Sequence, residues 1–265
     1  MGLRVASLFR HPVKGLSAQP LDAVELAAGC GVPEDRRFAI ARTGPGDATG
    51  PDPQHWQRKR AFYALDTVPA LAALESRWDE GRGCLEFRRE GVVLAAGDPR
   101  DPDARRALEA CLGERIGAGA TPHLVEARGF VHTDLPDPLV SIVSLASLAE
   151  LERTVGRSVD VRRFRANLVI GGGLPWQELD WVGCEIACGA VRLRVREAIV
   201  RCPAIHADPG GAEADIDLLR PLLRLHGEPL FGVYAEVLTG GRIAVGASVQ
   251  APPGGRPPAR RELGL

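Results

Sequence analysis

The sequence predicts a mostly β, α+β protein: a barrel-like arrangement of antiparallel strands under a few covering helices. Three observations carry that expectation. Short runs of β-branched and apolar residues recur at close intervals with glycine at the joints. Only three segments show helical spacing with recognisable start and stop residues. At 265 residues, 45% apolar and 25% charged, the chain is long enough to bury a large core.

The elements follow in order. Val5–Phe9 and Leu21–Leu26 read as strands around a turn at Pro12-Val-Lys-Gly15, and Phe38–Ala41 is a further strand. Residues 43–58, with Gly44-Pro-Gly-Asp47 and Gly50-Pro-Asp-Pro53, are expected to form a mobile surface loop. Leu85-Glu-Phe87 and Val92-Val-Leu94 flank Glu90-Gly91, a hairpin signal. A helix is expected from Pro102 to Leu112, with Asp101 as N-cap, Pro102 in the first turn and Gly113 as the stop. A second follows Ser144, with Leu148, Leu151 and Val155 at i, i+3, i+7 and Gly156 closing it. A third lies within 215–226, where Pro221 forces a late start or a kink and Gly227 ends it. Strands at Asn167–Ile170, Glu185–Ala187, Val191–Val195, Gly232–Val237 and Ile243–Val245 complete the pattern. A composition shift near 97–125 divides the chain into a β-barrel-like N-terminal domain, 1–115, and a second domain, 116–250. The Pro/Gly-rich tail, 251–265, is expected to be disordered.

A net charge of -1 gives no global attraction to nucleic acid or to an anionic membrane, so neither is an expected partner. No window approaches a membrane span, and no signal peptide is read at the N-terminus. The six cysteines (30, 84, 111, 184, 188, 202) form no CxxC pair and no zinc spacing, which fits a reducing cytoplasm. Cys184 and Cys188 are expected on one face of a strand as small core residues. Of the 33 basic residues only Lys14 and Lys59 are lysine.

Arg201-Cys202-Pro203 is the segment richest in chemistry. A neighbouring cation favours the thiolate, and thiolates bind soft metals or act as nucleophiles. Cysteine is also among the most buried residue types, so an inert core position is the alternative.

Several segments together resemble the MOSC-domain family. Arg10-His-Pro-Val-Lys-Gly-Leu16 and Glu34-Asp-Arg-Arg-Phe38 look like the β-barrel domain that precedes MOSC in many members. Arg163-Phe-Arg-Ala-Asn-Leu-Val-Ile170, Pro175-Trp176, Arg201-Cys202, Asp208-Pro209 and Leu230–Val237 look like the MOSC domain itself. The resemblance implies a molybdenum pyranopterin cofactor, molybdopterin, and not pyridoxal phosphate. By similarity to the amidoxime-reducing branch, Cys202 is the metal ligand and the catalytic residue. Lys14, Arg36, Ser144, Arg165 and Asn167 are the implied cofactor-binding residues. Chemistry alone leaves Arg163 as good an oxyanion ligand as Arg165, and Arg36 is preferred to Arg37 only as the inward-facing member of an alternating pair. Ser144 at a helix start suits phosphate, and it equally suits a plain N-cap. His206 is read as a solvated loop histidine, with a general acid as the alternative, and Asp208-Pro209 as a turn. Gly15 stands where many relatives carry serine, and Ala166 where proline is common between Arg and Asn.

The implied function is a molybdenum-dependent oxidoreductase acting on N-hydroxylated or related N-oxygenated small molecules. No cysteine follows Cys202, so electrons are expected from a separate flavin or iron–sulfur reductase. Two alternatives stand beside it: a sulfur carrier using a Cys202 persulfide, and a non-catalytic cofactor carrier.

Overall fold

The computed structural model describes residues 2–42, 53–117, 119–211 and 213–252. Most of the loop expected at 43–58 and of the tail expected at 251–265 therefore lies outside the described residues.

The N-terminal half contributes strands β1 (Arg4–Arg10), β2 (Gln19–Leu21), β3 (Ala23–Leu26), β4 (Phe38–Ala41), β5 (Glu75–Asp79), β6 (Cys84–Arg89) and β7 (Val92–Gly97), then helix α1 (Pro102–Ile116). There follow β8 (His123–Glu126), β9 (Val140–Ser144), α2 (Leu145–Val155), β10 (Leu168–Gly171), β11 (Glu185–Cys188) and β12 (Val191–Val200). Helix α3 (Leu219–His226) precedes β13 (Leu230–Thr239), β14 (Gly241–Ala244) and β15 (Val249–Gln250). The mostly β, α+β class is observed.

The main sheet has eight strands in the order β15-β11-β12-β13-β9-β10-β1-β2. Its ladder does not close into a barrel, and it is not wholly antiparallel: β9 and β10 run parallel, joined through α2. A parallel pair needs such a crossover. Near one rim the chain folds back on β1, where Val5 N–H donates to the Ala247 carbonyl at 2.9 Å and Val249 N–H to Leu3 at 3.0 Å.

Burial explains the sequence of these strands. β12 alternates buried valine and leucine with exposed arginine, the pattern of a sheet with one wet face. β9 and β10 are buried on both faces; β10 reads as an apolar run, and β9 carries two buried serines, Ser141 and Ser144, among its apolar residues. Ile142, Leu168 and Ile170 enter one core cluster; Val143 and Val169 enter another, beneath α2 and α3. A third cluster, from Val13 to Leu124 with Ala207 added, holds β4–β8 against α1 through Phe38, Trp78, Phe87 and Leu108.

Helix starts and turns obey local chemistry. Asp101 accepts hydrogen bonds from the N–H groups of Asp103 and Ala104, and Pro102 opens α1. The helix runs through Gly113 and ends at Gly117, one turn beyond the expected stop. An interior glycine costs only about 1 kcal/mol, and the extra turn packs Ile116 onto the core. In the β6–β7 turn Glu90 and Gly91 both have positive φ, 51° and 80°, as a tight hairpin requires. The single strand expected over Leu21–Leu26 is two short strands in different sheets.

One buried acid has a measurable consequence. Glu178 is fully buried in a short helix, Gln177–Trp181; the Ser147 hydroxyl donates to one of its oxygens at 2.8 Å. Burial, opposed by that hydrogen bond, pushes its carboxyl up to about 7. The native state therefore holds a proton that the unfolded chain releases near pH 4.5, and stability falls as pH rises between those values. Glu178→Gln is expected to match the wild type at pH 4 and to exceed it by roughly 2–3 kcal/mol at pH 8, read by urea denaturation.

Candidate functional site

One cavity gathers residues from both halves of the chain. It is lined by Lys14, Gly15 and Arg36 after β1 and before β4, by Lys59, Ala64 and Leu65, and by Thr133, Asp134, Leu139 and Ser141. The short helix Val161–Phe164 and the loop after it supply Arg163, Arg165 and Asn167, the chain just past the end of β12 supplies Arg201 and Cys202, and the middle of β13 supplies Tyr234. Five of the six residues expected at the site, Lys14, Arg36, Arg165, Asn167 and Cys202, meet here. Ser144 does not line the cavity: it is buried, and its hydroxyl accepts from Ala146 N–H at 3.2 Å as the cap of α2. The serine that lines the cavity is Ser141, three residues earlier on β9.

Local backbone places the two central arginines. Arg36 and Arg165 both adopt left-handed conformations, φ 51° and 52°, which non-glycine residues seldom take. Such strain persists where the surroundings enforce it and clusters at functional sites. Here the Arg36 guanidinium reaches across to donate to the Arg165 carbonyl at 3.0 Å. Asn167 is committed to the frame: its carbonyl oxygen accepts from the Ser141 N–H at 3.1 Å and hydroxyl at 2.8 Å. Gly15 has φ +90°, and a Cβ there would lie 3.2 Å from the Tyr63 carbonyl, so the backbone itself requires glycine.

The cations divide into neutralised and bare. Arg36 pairs with Asp35, Lys14 with Asp134 at 2.6 Å, and Arg163 with Asp208 at 3.3 Å and Asp215 at 2.7 Å. That pairing separates Arg163 from Arg165, which chemistry alone left equivalent, and gives Asp208 a task beyond its turn. Arg165 and Arg201 form no ion pair among the described residues, and each leaves its buried Nη2 without a hydrogen-bond partner. Burial, with Arg36 nearby, lowers Arg165 to about 9, and burial lowers Arg201 to about 10. Two guanidinium groups with buried, unspent donors give the cavity wall the chemistry an anion would need.

Arg201 is not the cation beside Cys202. It points inward, donating to the carbonyls of Phe231 and Phe164 at 2.8 Å each. Lys59 takes that place, its ammonium donating to Cys202 Sγ at 3.1 Å and pairing with Asp66 at 2.9 Å. Burial opposes the charge of Lys59, and Cys202 and Asp66 outweigh it and raise its affinity for the proton. His206 stays outside the cavity; its carbonyl accepts from Arg163 at 2.8 Å. Cys188 is a core residue whose thiol burial pushes up to about 12.

The floor beneath Arg201 depends on a glycine. Gly232, φ +81°, would place a Cβ 2.4 Å from the Ile142 carbonyl and 3.3 Å from Arg201 Nη2. Gly232→Ala is expected to destabilise the fold by more than about 3 kcal/mol, measured by chemical denaturation.

Sequence reasoning missed Lys59, Ser141, Asp134 and Tyr234 as members of the site. A signal existed for Lys59: the scarcity of lysine that marks Lys14 applies equally to it, and both lysines of the chain line this cavity.

The chain combines a strand-rich fold with a cationic cavity that has a cysteine in its wall, and comparison identifies its class. The MOSC N-terminal beta barrel domain matches residues 2–118 and the MOSC domain matches 130–250. The chain belongs to the MOSC family, whose members of the sulfurase and amidoxime-reducing types are associated with the molybdenum cofactor. A "Molybdenum cofactor sulfurase" of Drosophila willistoni is 35% identical over 102 residues, 38% of this chain and 12% of that protein. A "Mitochondrial amidoxime reducing component 2" of Bos taurus is 32% identical over 124 residues, 42% of this chain and 36% of that protein. The match thus spans well under half the length of either relative. Among solved structures, the YUAD protein from Bacillus subtilis aligns with a TM-score of 0.46 at 13% identity, covering 95% of this chain and 96% of that one. No helix among the described residues is long and apolar enough to cross a membrane.

Proposed function

We propose that this chain binds a molybdenum pyranopterin cofactor in the cavity and reduces N-hydroxylated or related N-oxygenated compounds. The observation that carries the proposal is the pairing of two chemistries in one cavity. Cys202 offers a partly exposed sulfur at the mouth, and Arg165 and Arg201 offer buried, unspent donors below it. The donor set fits the cofactor: a terminal phosphate is a multiply charged oxyanion that arginine forks satisfy, and molybdenum accepts a thiolate. Among the described residues no cluster of three or more His, Cys, Asp or Glu could hold a metal by itself. A metal here would arrive on a cofactor and take Cys202 as its protein ligand.

Each residue then has a task. Cys202 fixes the metal end. Arg165 and Arg201 bind the anionic end, and Arg36 holds the Arg165 backbone in place. Lys14, itself buried, pairs with the exposed Asp134 in the wall, and Asn167 with Ser141 locks β9 to the loop that carries Arg165. The bound cofactor would supply two-electron redox chemistry at the metal. Converting an N-hydroxylated amidine to the amidine consumes two electrons and two protons and releases water. The electrons would come from a separate reductase, as the amidoxime-reducing likeness suggests. Cofactor-loaded protein given a strong artificial reductant is expected to convert benzamidoxime-type substrates to amidines. Loaded protein that leaves them untouched would remove the reductase assignment.

A second reading rests on the Lys59–Cys202 contact. A cation beside a partly exposed sulfur also suits a persulfide carrier. Mass spectrometry after incubation with a cysteine desulfurase and free cysteine tests it: a 32 Da adduct on Cys202, at about that mass for one sulfur, supports it. An unmodified Cys202 counts against it.

A further inference from the structure

The cation that touches Cys202 lies far from it in sequence and outside every motif that carries the family resemblance. Lys59 stands in a short helical turn, Lys59–Ala61, and its side chain is about a quarter exposed. Its ammonium bridges two groups, Cys202 Sγ at 3.1 Å and the Asp66 carboxylate at 2.9 Å. Asp66 follows directly on the cavity wall residues Ala64 and Leu65, so the anchor and the wall are one piece of chain. The other cations of the cavity make their hydrogen bonds elsewhere: Arg36 with Asp35 and the Arg165 carbonyl, and Arg165 with the Leu16 carbonyl. Lys14 is held by Asp134 and the His132 carbonyl, Arg163 by Asp208 and Asp215, and Arg201 by two backbone carbonyls.

We propose that Lys59 is a positioning residue for Cys202: anchored by Asp66, it fixes the direction of the sulfur and sets a positive charge against whatever approaches it. The substrate class that follows is one presenting an anionic or strongly hydrogen-bond-accepting oxygen at the reacting atom. This rests on Cys202 as the functional sulfur of the proposed site. It does not require that the sulfur bind molybdenum.

The test uses cofactor-free, full-length protein and two thiol reagents, iodoacetamide, which is neutral, and iodoacetate, which is anionic. Both are applied at one pH, and modification of Cys202 is followed by peptide mass spectrometry. The ratio of the two rates cancels the reactive fraction of the sulfur and its general accessibility, leaving the local field. A unit charge a few ångströms from the reacting atom is worth on the order of a tenfold rate ratio in a partly solvated site. Lys59→Met is expected to lower the iodoacetate-to-iodoacetamide ratio about tenfold. Lys59→Arg should restore most of it, and Asp66→Asn should raise it, because the ammonium loses its counter-charge. Circular dichroism identifies a variant that has lost its fold. A folded Lys59→Met protein with a ratio within about twofold of the wild type would overturn the proposal. That outcome is independent of metal content: molybdenum found with an unchanged ratio removes Lys59 alone, and no molybdenum with a tenfold shift removes the cofactor reading alone.

Discussion

Replacing Cys202 by serine is expected to cut reduction of N-hydroxylated substrates by more than about a hundredfold and to leave the melting temperature within about 2 °C of the wild type. The two halves of this prediction have different origins. Catalytic loss follows from exchanging a soft, polarisable thiolate for a hard hydroxyl that stays protonated at neutral pH. Stability is spared because Cys202 is only half-buried, gives no side-chain hydrogen bond to the short helix it caps, and belongs to none of the core clusters. A large drop in melting temperature would show that Cys202 is an interior packing residue, the alternative its sequence leaves open.

The second large effect is expected at Arg165. The cofactor-free fold carries a buried guanidinium beside Arg36 with no ion-pair partner among the described residues, and burial has already lowered its affinity for the proton to about 9. Replacing a poorly compensated buried ion with an apolar group is often stabilising. Arg165→Met is therefore expected to raise the stability of the cofactor-free protein by about 1–2 kcal/mol, a few degrees in melting temperature for a chain of this size. The same substitution should abolish the stabilisation that inorganic phosphate gives the wild type, which mass action puts at about 2.7 kcal/mol when phosphate reaches a hundred times its dissociation constant. A site built for function is held at a cost to stability, so the two measurements move in opposite directions. An Arg165→Met protein that melts lower and still responds to phosphate would mean that Arg165 is a structural cation.

Much of the fold was legible wherever a segment answers to one face. The alternation in β12, the Ser144 cap and Gly156 stop of α2, and the Glu90-Gly91 turn are local devices with local signatures. The elements that escaped are those whose character comes from elsewhere in the chain. β9 and β10 pair in parallel because α2 carries the chain across, a relation that no window of either strand displays. α1 overruns Gly113 because Ile116 finds a partner in the core.

The site shows the same division. Lys14, Arg36, Arg165, Asn167 and Cys202 lie in motifs, and the fold brings all five to one cavity. Ser144, implied by the resemblance, stands before a helix, a position that suits phosphate and capping alike; the structure shows the cap and puts Ser141 at the cavity. Arg201 was assigned as the neighbour of the thiol because it is next in sequence. In a strand end, successive side chains point apart, so adjacency along the chain argues against contact. Lys59, 143 positions away, makes the contact instead.

The central claim is that this cavity holds a molybdenum cofactor through Cys202. Elemental mass spectrometry of molybdenum per chain tests it most directly. The protein is purified from a host that makes the cofactor, beside Cys202→Ser and a known molybdoenzyme from the same cells. The account predicts close to one molybdenum per wild-type chain and less than about a tenth of that in the serine variant. A wild-type protein without molybdenum, from cells whose known molybdoenzyme is loaded, would contradict it.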